Sequence, residues 1–306
     1  MAREPWPEPT VEGSAAIAGH SMYYRICGDP NAPATVLCIH GGPGATHDYL
    51  RPLADLARSG YRVVFFDQLG CGRSTRITDT ALFTVEHHLS EVDALRRSLD
   101  LGRVHLFGSS YGGALALRYA IDHPAAVRSV VTAGGLASIP LTVAEERKWI
   151  DELPASVRAT LRRGEEEGDF DSPEYRAAMM EFYRRHVCRL PVWPEEVQYS
   201  FDQMSEPVYR YMNGPNEFTI VGTIRDLDFS DRLGEIRAPT LVTGGRYDEV
   251  SPTVARAIAA RVPNAELAIF NASSHMPFWE ERALYLARVT EFLRRADAAR
   301  SLRPPL

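Results

Sequence analysis

Six short apolar runs rich in β-branched residues, at 35–39, 62–66, 103–107, 127–132, 240–243 and 266–270, constrain the fold of this chain more than any other feature. They read as buried strands. Between them lie helical patterns. Val85, Leu89, Val92, Leu95 and Leu99 follow one another at spacings of four, three, three and four, which puts them on one face of a helix. Strand and helix therefore alternate, and the alternation predicts an α/β chain with a mostly parallel sheet covered by helices on both sides. The earlier stretch 17–26, turning at Gly19-His20, reads as an antiparallel hairpin at the sheet edge.

The alternation breaks between residues 138 and 231. There the sequence becomes charged, aromatic and helical, with Trp149, Trp193, Tyr199, Tyr209 and Tyr211, and turns are marked by Ser172-Pro173, Leu190-Pro191, Trp193-Pro194 and Asn213-Gly214-Pro215. This is the pattern of a helical cap, 138–231, inserted into an α/β core made of 1–137 and 232–306. A length of 306 residues suits one such core with an insertion. The net charge of -6, with Lys and Arg dispersed, argues against nucleic acid or an anionic membrane as partner and favours a small ligand. Cys27, Cys38, Cys71 and Cys188 form no CxxC pair and read as buried thiols. The first ten residues carry three prolines and no apolar stretch, so neither a secretory signal nor a membrane span is read there, and the cytoplasm is the expected location. The tail 301–306 is expected to fray.

Chemistry enters with Gly108-Ser109-Ser110-Tyr111-Gly112-Gly113, which joins the run 103–107 to the helical run 114–121. A serine on so tight a strand-to-helix turn needs small neighbours, because the helix must approach the sheet closely. The turn lifts the Ser110 hydroxyl above the carboxyl ends of the strands, with a helix N-terminus behind it. By itself the motif also permits a glycine-rich turn with an incidental serine. A serine hydroxyl is a weak nucleophile until a base takes its proton. Among the nine histidines, His275 lies just after the last strand-like run, while His105 falls inside a strand and His123 ends a helix before Pro124. An unperturbed histidine of pKa near 6.5 would make activity rise through neutral pH. The acid that orients it is expected on a loop after another strand, and Asp248 fits, a few residues beyond 240–243. The order Ser, Asp, His is that of α/β hydrolases. An oxyanion then needs two donors: the backbone N–H of Tyr111, and one from His40-Gly41-Gly42-Pro43-Gly44, assigned to Gly42. No His, Cys or carboxylate cluster has ligand spacing, so neither metal nor organic cofactor is expected.

His40 to Gly44, the segment Asp67-Gln68-Leu69-Gly70-Cys71-Gly72-Arg73-Ser74 and the Ser110 turn together resemble the proline iminopeptidase family of serine aminopeptidases. The stretches 212–220 and 247–252 are similar in particular to its tricorn-interacting aminopeptidase branch. The resemblance implies an α/β-hydrolase fold and an exopeptidase that releases proline and other, mainly apolar, N-terminal residues from short peptides through an acyl-enzyme. It also implies a pair of glutamates that hold the substrate's free α-amino group, here Glu217 and Glu249. Read without the family, Glu217 is a solvated loop acid. The same machinery would serve an amino-acid amidase or an esterase acting on one α-amino compound, and a non-catalytic receptor on this scaffold is the reading from another class. The cap aromatics Trp149, Trp193, Tyr209, Tyr211 and Phe218 are candidates both for the first-residue pocket and for packing.

Overall fold

The computed structural model describes residues 6–301, with side chains through residue 298. The expected start of the amino-terminal segment and the tail from 302 onward lie outside the described residues. Eight strands form one sheet in the order β1-β2-β4-β3-β5-β6-β7-β8. They are β1 (Pro9–Ile17), β2 (His20–Cys27), β3 (Thr35–Ile39), β4 (Arg62–Phe66), β5 (Val104–Ser109), β6 (Val127–Ala133), β7 (Thr240–Gly245) and β8 (Ala265–Phe270). The β1–β2 hairpin is antiparallel and sits at the edge, β2 meets β4 antiparallel, and every other pairing is parallel. All residues of β3, β5 and β7 are buried, as strands covered on both faces must be. The α/β architecture expected from the alternation is the one present.

From β3 the chain steps to β4 on one side, then returns across β3 to β5 and continues the other way. The reversal leaves a crevice at the carboxyl ends of β3 and β5, the place where open α/β sheets bind ligands. Register makes it tight, because Ile39 pairs with Gly108 and so the segments after the two strands emerge side by side.

Helices α1 (Val85–Ser98) and α2 (Tyr111–Asp122) follow β4 and β5. The apolar spacing read from Val85 to Leu95 is the buried face of α1, and the Thr84 hydroxyl caps its start by accepting from the His87 N–H. Between β6 and β7 the chain makes α3 (Ile139–Asp151), α4 (Ala155–Glu167), α5 (Pro173–His186), α6 (Glu195–Asp202) and α7 (Glu206–Met212). Three of them begin on a proline-containing first turn, where a missing N–H costs nothing. Helices α8 (Pro252–Arg261), α9 (Pro277–Glu280) and α10 (Arg282–Ser301) complete the core. The four cysteines are free and buried. No helix among the described residues is long and apolar enough to cross a membrane.

Candidate active site

Ser110 sits between β5 and α2 with φ 57° and ψ -125°, a region that L-residues avoid. Such a conformation costs about 1–3 kcal/mol and persists only where its surroundings over-determine it. Here they do. The Ser110 N–H donates to Ala133 O at 2.9 Å, and its carbonyl accepts from the N–H groups of Gly113 and Ala114. A Cβ on Gly108 would stand 2.1 Å from Gly112 O, and one on Gly112 would stand 2.2 Å from Ile39 O, so the helix reaches the sheet only because both are glycine.

The segment after β3 lies against this turn: a Cβ on Gly41 would meet Ser109 O and Ser110 Cβ at 2.8 Å. Its N–H groups are not equivalent. The Gly41 N–H donates to the Tyr49 hydroxyl at 2.8 Å, whereas Gly42, at φ 111° and ahead of a cis Pro43, lines the cavity beside Ser110. Tyr111, first residue of α2, buries its side chain away from the cavity, where its hydroxyl meets His88 Nδ1 at 2.9 Å. Only its backbone is left to serve the site.

The stretch from Asp67 to Ser74 braces the same segment from beneath. His40 Nε2 accepts from the Gln68 N–H at 3.0 Å, and the Gln68 amide donates to His40 O at 2.9 Å. Buried Asp67 accepts from the His47 N–H, from the His47 ring at 2.7 Å and from the Arg73 N–H. Burial alone would raise the Asp67 pKa, but the His47 and His40 rings and these donors hold it far below the usual carboxylate range. Spacing in the sequence showed no ligand cluster, yet folding brings donor atoms of His47, Asp48 and Asp67 within 4.8 Å of one another. They are already engaged, since Arg73 pairs with Asp48 at 3.1 Å and Thr46 donates to it at 2.7 Å.

Asp248 and His275 come from the segments after β7 and β8. His275 Nδ1 lies 2.6 Å from Asp248 Oδ1, and that carboxylate also accepts from the Val250 N–H at 2.9 Å. Two helical residues that sequence reading gave no such place lock the pair. The His186 carbonyl, at the end of α5, accepts from both the Glu249 N–H (3.1 Å) and the His275 N–H (3.2 Å). Trp149 of α3 donates its ring N–H to Asp248 O at 2.9 Å while stacking on His186. From the other side, Glu280 of α9 accepts from the Ser274 N–H and hydroxyl, holding the histidine segment. Gly134, at φ 54°, leaves room for the rings: a Cβ there would lie 2.5 Å from His275 Nδ1 and 2.9 Å from Asp248 Oδ2.

One cavity collects these parts. Gly42, Ser110, His275, Glu217 and Glu249 line it, with an apolar wall that includes Val187, Phe201, Met204 and Met276. The expected serine, histidine, oxyanion glycine and both glutamates thus share one space. The five cap aromatics do not. Trp149 braces Asp248, Trp193 packs on Phe201, Phe218 on Phe182, Tyr211 on Phe83, and buried Tyr209 stands beside Glu217. Phe201, Met204 and Val187 took the lining role, and helical periodicity alone does not reveal which face of a cap helix turns inward.

Electrostatics are unusual. Glu249 Oε1 lies 3.6 Å from His275 Nε2, so each ring nitrogen faces a carboxylate. Burial would keep His275 neutral, but Asp248, Glu249 and Glu217 outweigh it and push the pKa up to about 10. This corrects the expectation of a histidine near 6.5; three carboxylates around one ring, not the ring itself, set the value. Burial, with Glu217, Glu146 and Asp248 adding to it, pushes Glu249 well up, and Glu217 is raised by burial against the pull of Tyr209 and His275. Glu146 of α3, buried and pushed well up by burial and by Glu217, stands behind the pair and was not singled out in the sequence.

A family model described as the alpha/beta hydrolase fold matches residues 34–282. The fold is that of an α/β hydrolase. A proline iminopeptidase of Thermoplasma volcanium is 44% identical over 284 residues, 92% of this chain and 96% of its own. Among solved structures, VinJ superposes with a TM-score of 0.92 at 36% identity, over 94% of this chain and all of its own. The proline iminopeptidase of Mycobacterium smegmatis gives 0.88 at 34% identity, over 94% of this chain and 99% of its own. The chain belongs to the proline iminopeptidase family of α/β hydrolases.

Proposed function

We propose that the chain is a serine aminopeptidase that releases an N-terminal residue, proline and other apolar residues among them, from short peptides. One observation carries the reading: Glu217 and Glu249 line the same cavity as Ser110 and His275. A generic esterase has no use for two acidic side chains there, whereas a substrate with a free α-ammonium offers them a cation and two charge-assisted hydrogen bonds. Held so, the ammonium sets the scissile carbonyl against Ser110, and the apolar wall receives the first side chain. Residues 138–231 act as a cap, since they supply Glu217, Val187, Ser200, Phe201 and Met204 to a cavity whose other walls belong to the core.

In this reading Ser110 Oγ attacks the carbonyl carbon while neutral His275 Nε2 takes its proton, and Asp248 holds the ring and stabilises the imidazolium. The developing oxyanion accepts from the backbone N–H groups of Gly42 and Tyr111. The engagement of the Gly41 N–H by Tyr49 supports Gly42 as the donor. His275 then gives its proton to the leaving amine, and water, deprotonated by the same nitrogen, hydrolyses the acyl-enzyme. Blocking the amine removes the cation and leaves the carboxylates buried without it. The test compares prolyl and alanyl p-nitroanilides with their N-acetyl forms. Free amines should be turned over at least about 100-fold better in kcat/KM, near 2.7 kcal/mol; equal turnover would refute the reading.

A further inference from the structure

Glu249 faces two cationic positions at once, the His275 ring and the place assigned to the substrate ammonium. We propose that it serves them in turn: in the empty site Glu249 pairs with the His275 imidazolium, and the arriving substrate ammonium takes Glu249 over, so that His275 becomes a base only when an amino-bearing substrate is seated. The inference rests on the aminopeptidase reading and adds to it a cause of specificity that acts on the base rather than on binding.

The geometry carries it. Nδ1 of His275 meets Asp248 at 2.6 Å and Nε2, the nitrogen that must receive the serine proton, meets Glu249 at 3.6 Å. An imidazolium between two carboxylates satisfies both contacts, whereas a neutral ring facing an ionised Glu249 satisfies only the one at Nδ1. The groups around it, element by element, are anionic or uncharged. The segment after β7 brings Asp248 and Glu249, the turn after α7 brings Glu217, α3 brings Glu146, and α9 brings Glu280. Helix α5 contributes His186, whose pKa burial lowers to about 4, and Tyr183; α7 contributes Tyr209; both phenols are pushed well up by burial. The arginine of α3, Arg147, pairs with Glu165 at 2.9 Å, and the two arginines that act on His186 are engaged elsewhere, Arg185 with Glu181 and Arg189 over the Tyr247 ring. Among the described residues no donor reaches the buried Glu249 Oε2, an open acceptor that an ammonium can fill.

Protons balance. If the amine enters neutral, the proton on His275 Nε2 passes to it and becomes the third proton of the ammonium. If it enters as ammonium, the His275 proton leaves to water. In both cases the cavity holds one positive charge before and after, and the ring ends neutral with Nε2 free to accept from Ser110. The raised pKa of the unliganded ring agrees with this order of events. An uncharged ester leaves Glu249 on the ring and meets a histidine that is already protonated at neutral pH.

The experiment measures kcat/KM for p-nitrophenyl acetate from pH 6 to 10 in the wild type, Glu249→Gln and Glu217→Gln, with prolyl p-nitroanilide in parallel. Wild-type ester hydrolysis should climb into the alkaline range. Glu249→Gln should bring the inflection down and raise the rate at pH 7 roughly 3- to 10-fold for each unit of lowering, the range between a fixed base strength and one that weakens with its pKa, while prolyl cleavage falls. An ester profile in Glu249→Gln that coincides with the wild type overturns the inference and leaves the ammonium site standing. Undiminished prolyl cleavage in both variants overturns the site assignment instead. A second readout uses Ser110→Ala, in which the His275 ring is titrated by NMR with and without prolinamide: the ring pKa should fall when prolinamide binds, and an unchanged value overturns the inference.

Discussion

Replacing Glu217 by glutamine separates an aminopeptidase from an esterase built on the same triad. Glu217 lines the cavity beside Ser110 and Glu249 and is half-buried, so solvent screens it only in part. Truncating one partner of a buried charge pair costs about 2–5 kcal/mol. Because Glu249 still holds the ammonium, the loss should fall at the lower end, about 2–3 kcal/mol, which is roughly 30- to 150-fold in kcat/KM. Glutamine keeps the shape and one acceptor oxygen, so the backbone contact of residue 217 with the Tyr183 hydroxyl at 3.3 Å is unaffected. The assay measures kcat/KM on prolyl p-nitroanilide and p-nitrophenyl acetate for wild type and variant from one preparation. The first should drop by the stated factor, whereas the second should change in either direction by less than about threefold, under 1 kcal/mol. Equal losses on the two substrates would refute the reasoning, since the second has no ammonium.

Gly134→Ala forces a Cβ to within 2.5 Å of His275 Nδ1 at a positive φ, so it should cost about 1–3 kcal/mol of stability and lower kcat more than tenfold; thermal melts and steady-state kinetics check both. Asp67→Asn weakens the brace under the Gly42 segment and should cost about 3–5 kcal/mol, the range for breaking a buried pair, read from urea unfolding. The Asp67 pKa is lower folded than unfolded, so its contribution is present above the unfolded value near 3.9 and is lost as pH falls through the folded one. Wild-type stability should therefore fall more steeply than that of the variant below about pH 4. His275 works in the opposite sense: its raised pKa stabilises fully below about 6.5 and is lost as pH rises through about 10, so Glu249→Gln should flatten the alkaline side of the stability profile.

The strands of the parallel sheet were legible because each is a short run buried on both faces; 35–39 and 62–66 coincide with β3 and β4. The hairpin extends well beyond the apolar stretch 17–26. β1 reaches back to Pro9, and its outer half alternates partly buried with exposed positions and carries Glu12, Gly13 and Ser14, so no apolar signal announces it. Turn chemistry exposed Ser110 and Gly42, and position after strands pointed to Asp248 and His275. What tertiary packing decides was not legible. His186 acts through its carbonyl, Trp149 through one ring N–H, and Glu146 through burial on α3, and none of these leaves a mark on spacing. Glu217 was readable only through the family resemblance, because nothing in the local sequence tells a solvated loop acid from one that faces a cavity. The histidine pKa followed the same rule, since Asp248 and Glu249 come from the segment after β7 and Glu217 from the cap, neither near His275 in the chain.

The central claim is that Ser110 carries the acyl group of an N-terminal residue. Intact-mass measurement after rapid acid quench of the enzyme mixed with prolyl p-nitrophenyl ester tests it most directly. The wild type should gain the mass of one prolyl group, with peptide mapping placing it on Ser110. Ser110→Ala, folded by circular dichroism, should show neither the adduct nor turnover above about one part in 10⁴ of wild type. An adduct on another residue, or near-normal turnover by Ser110→Ala, would contradict the account.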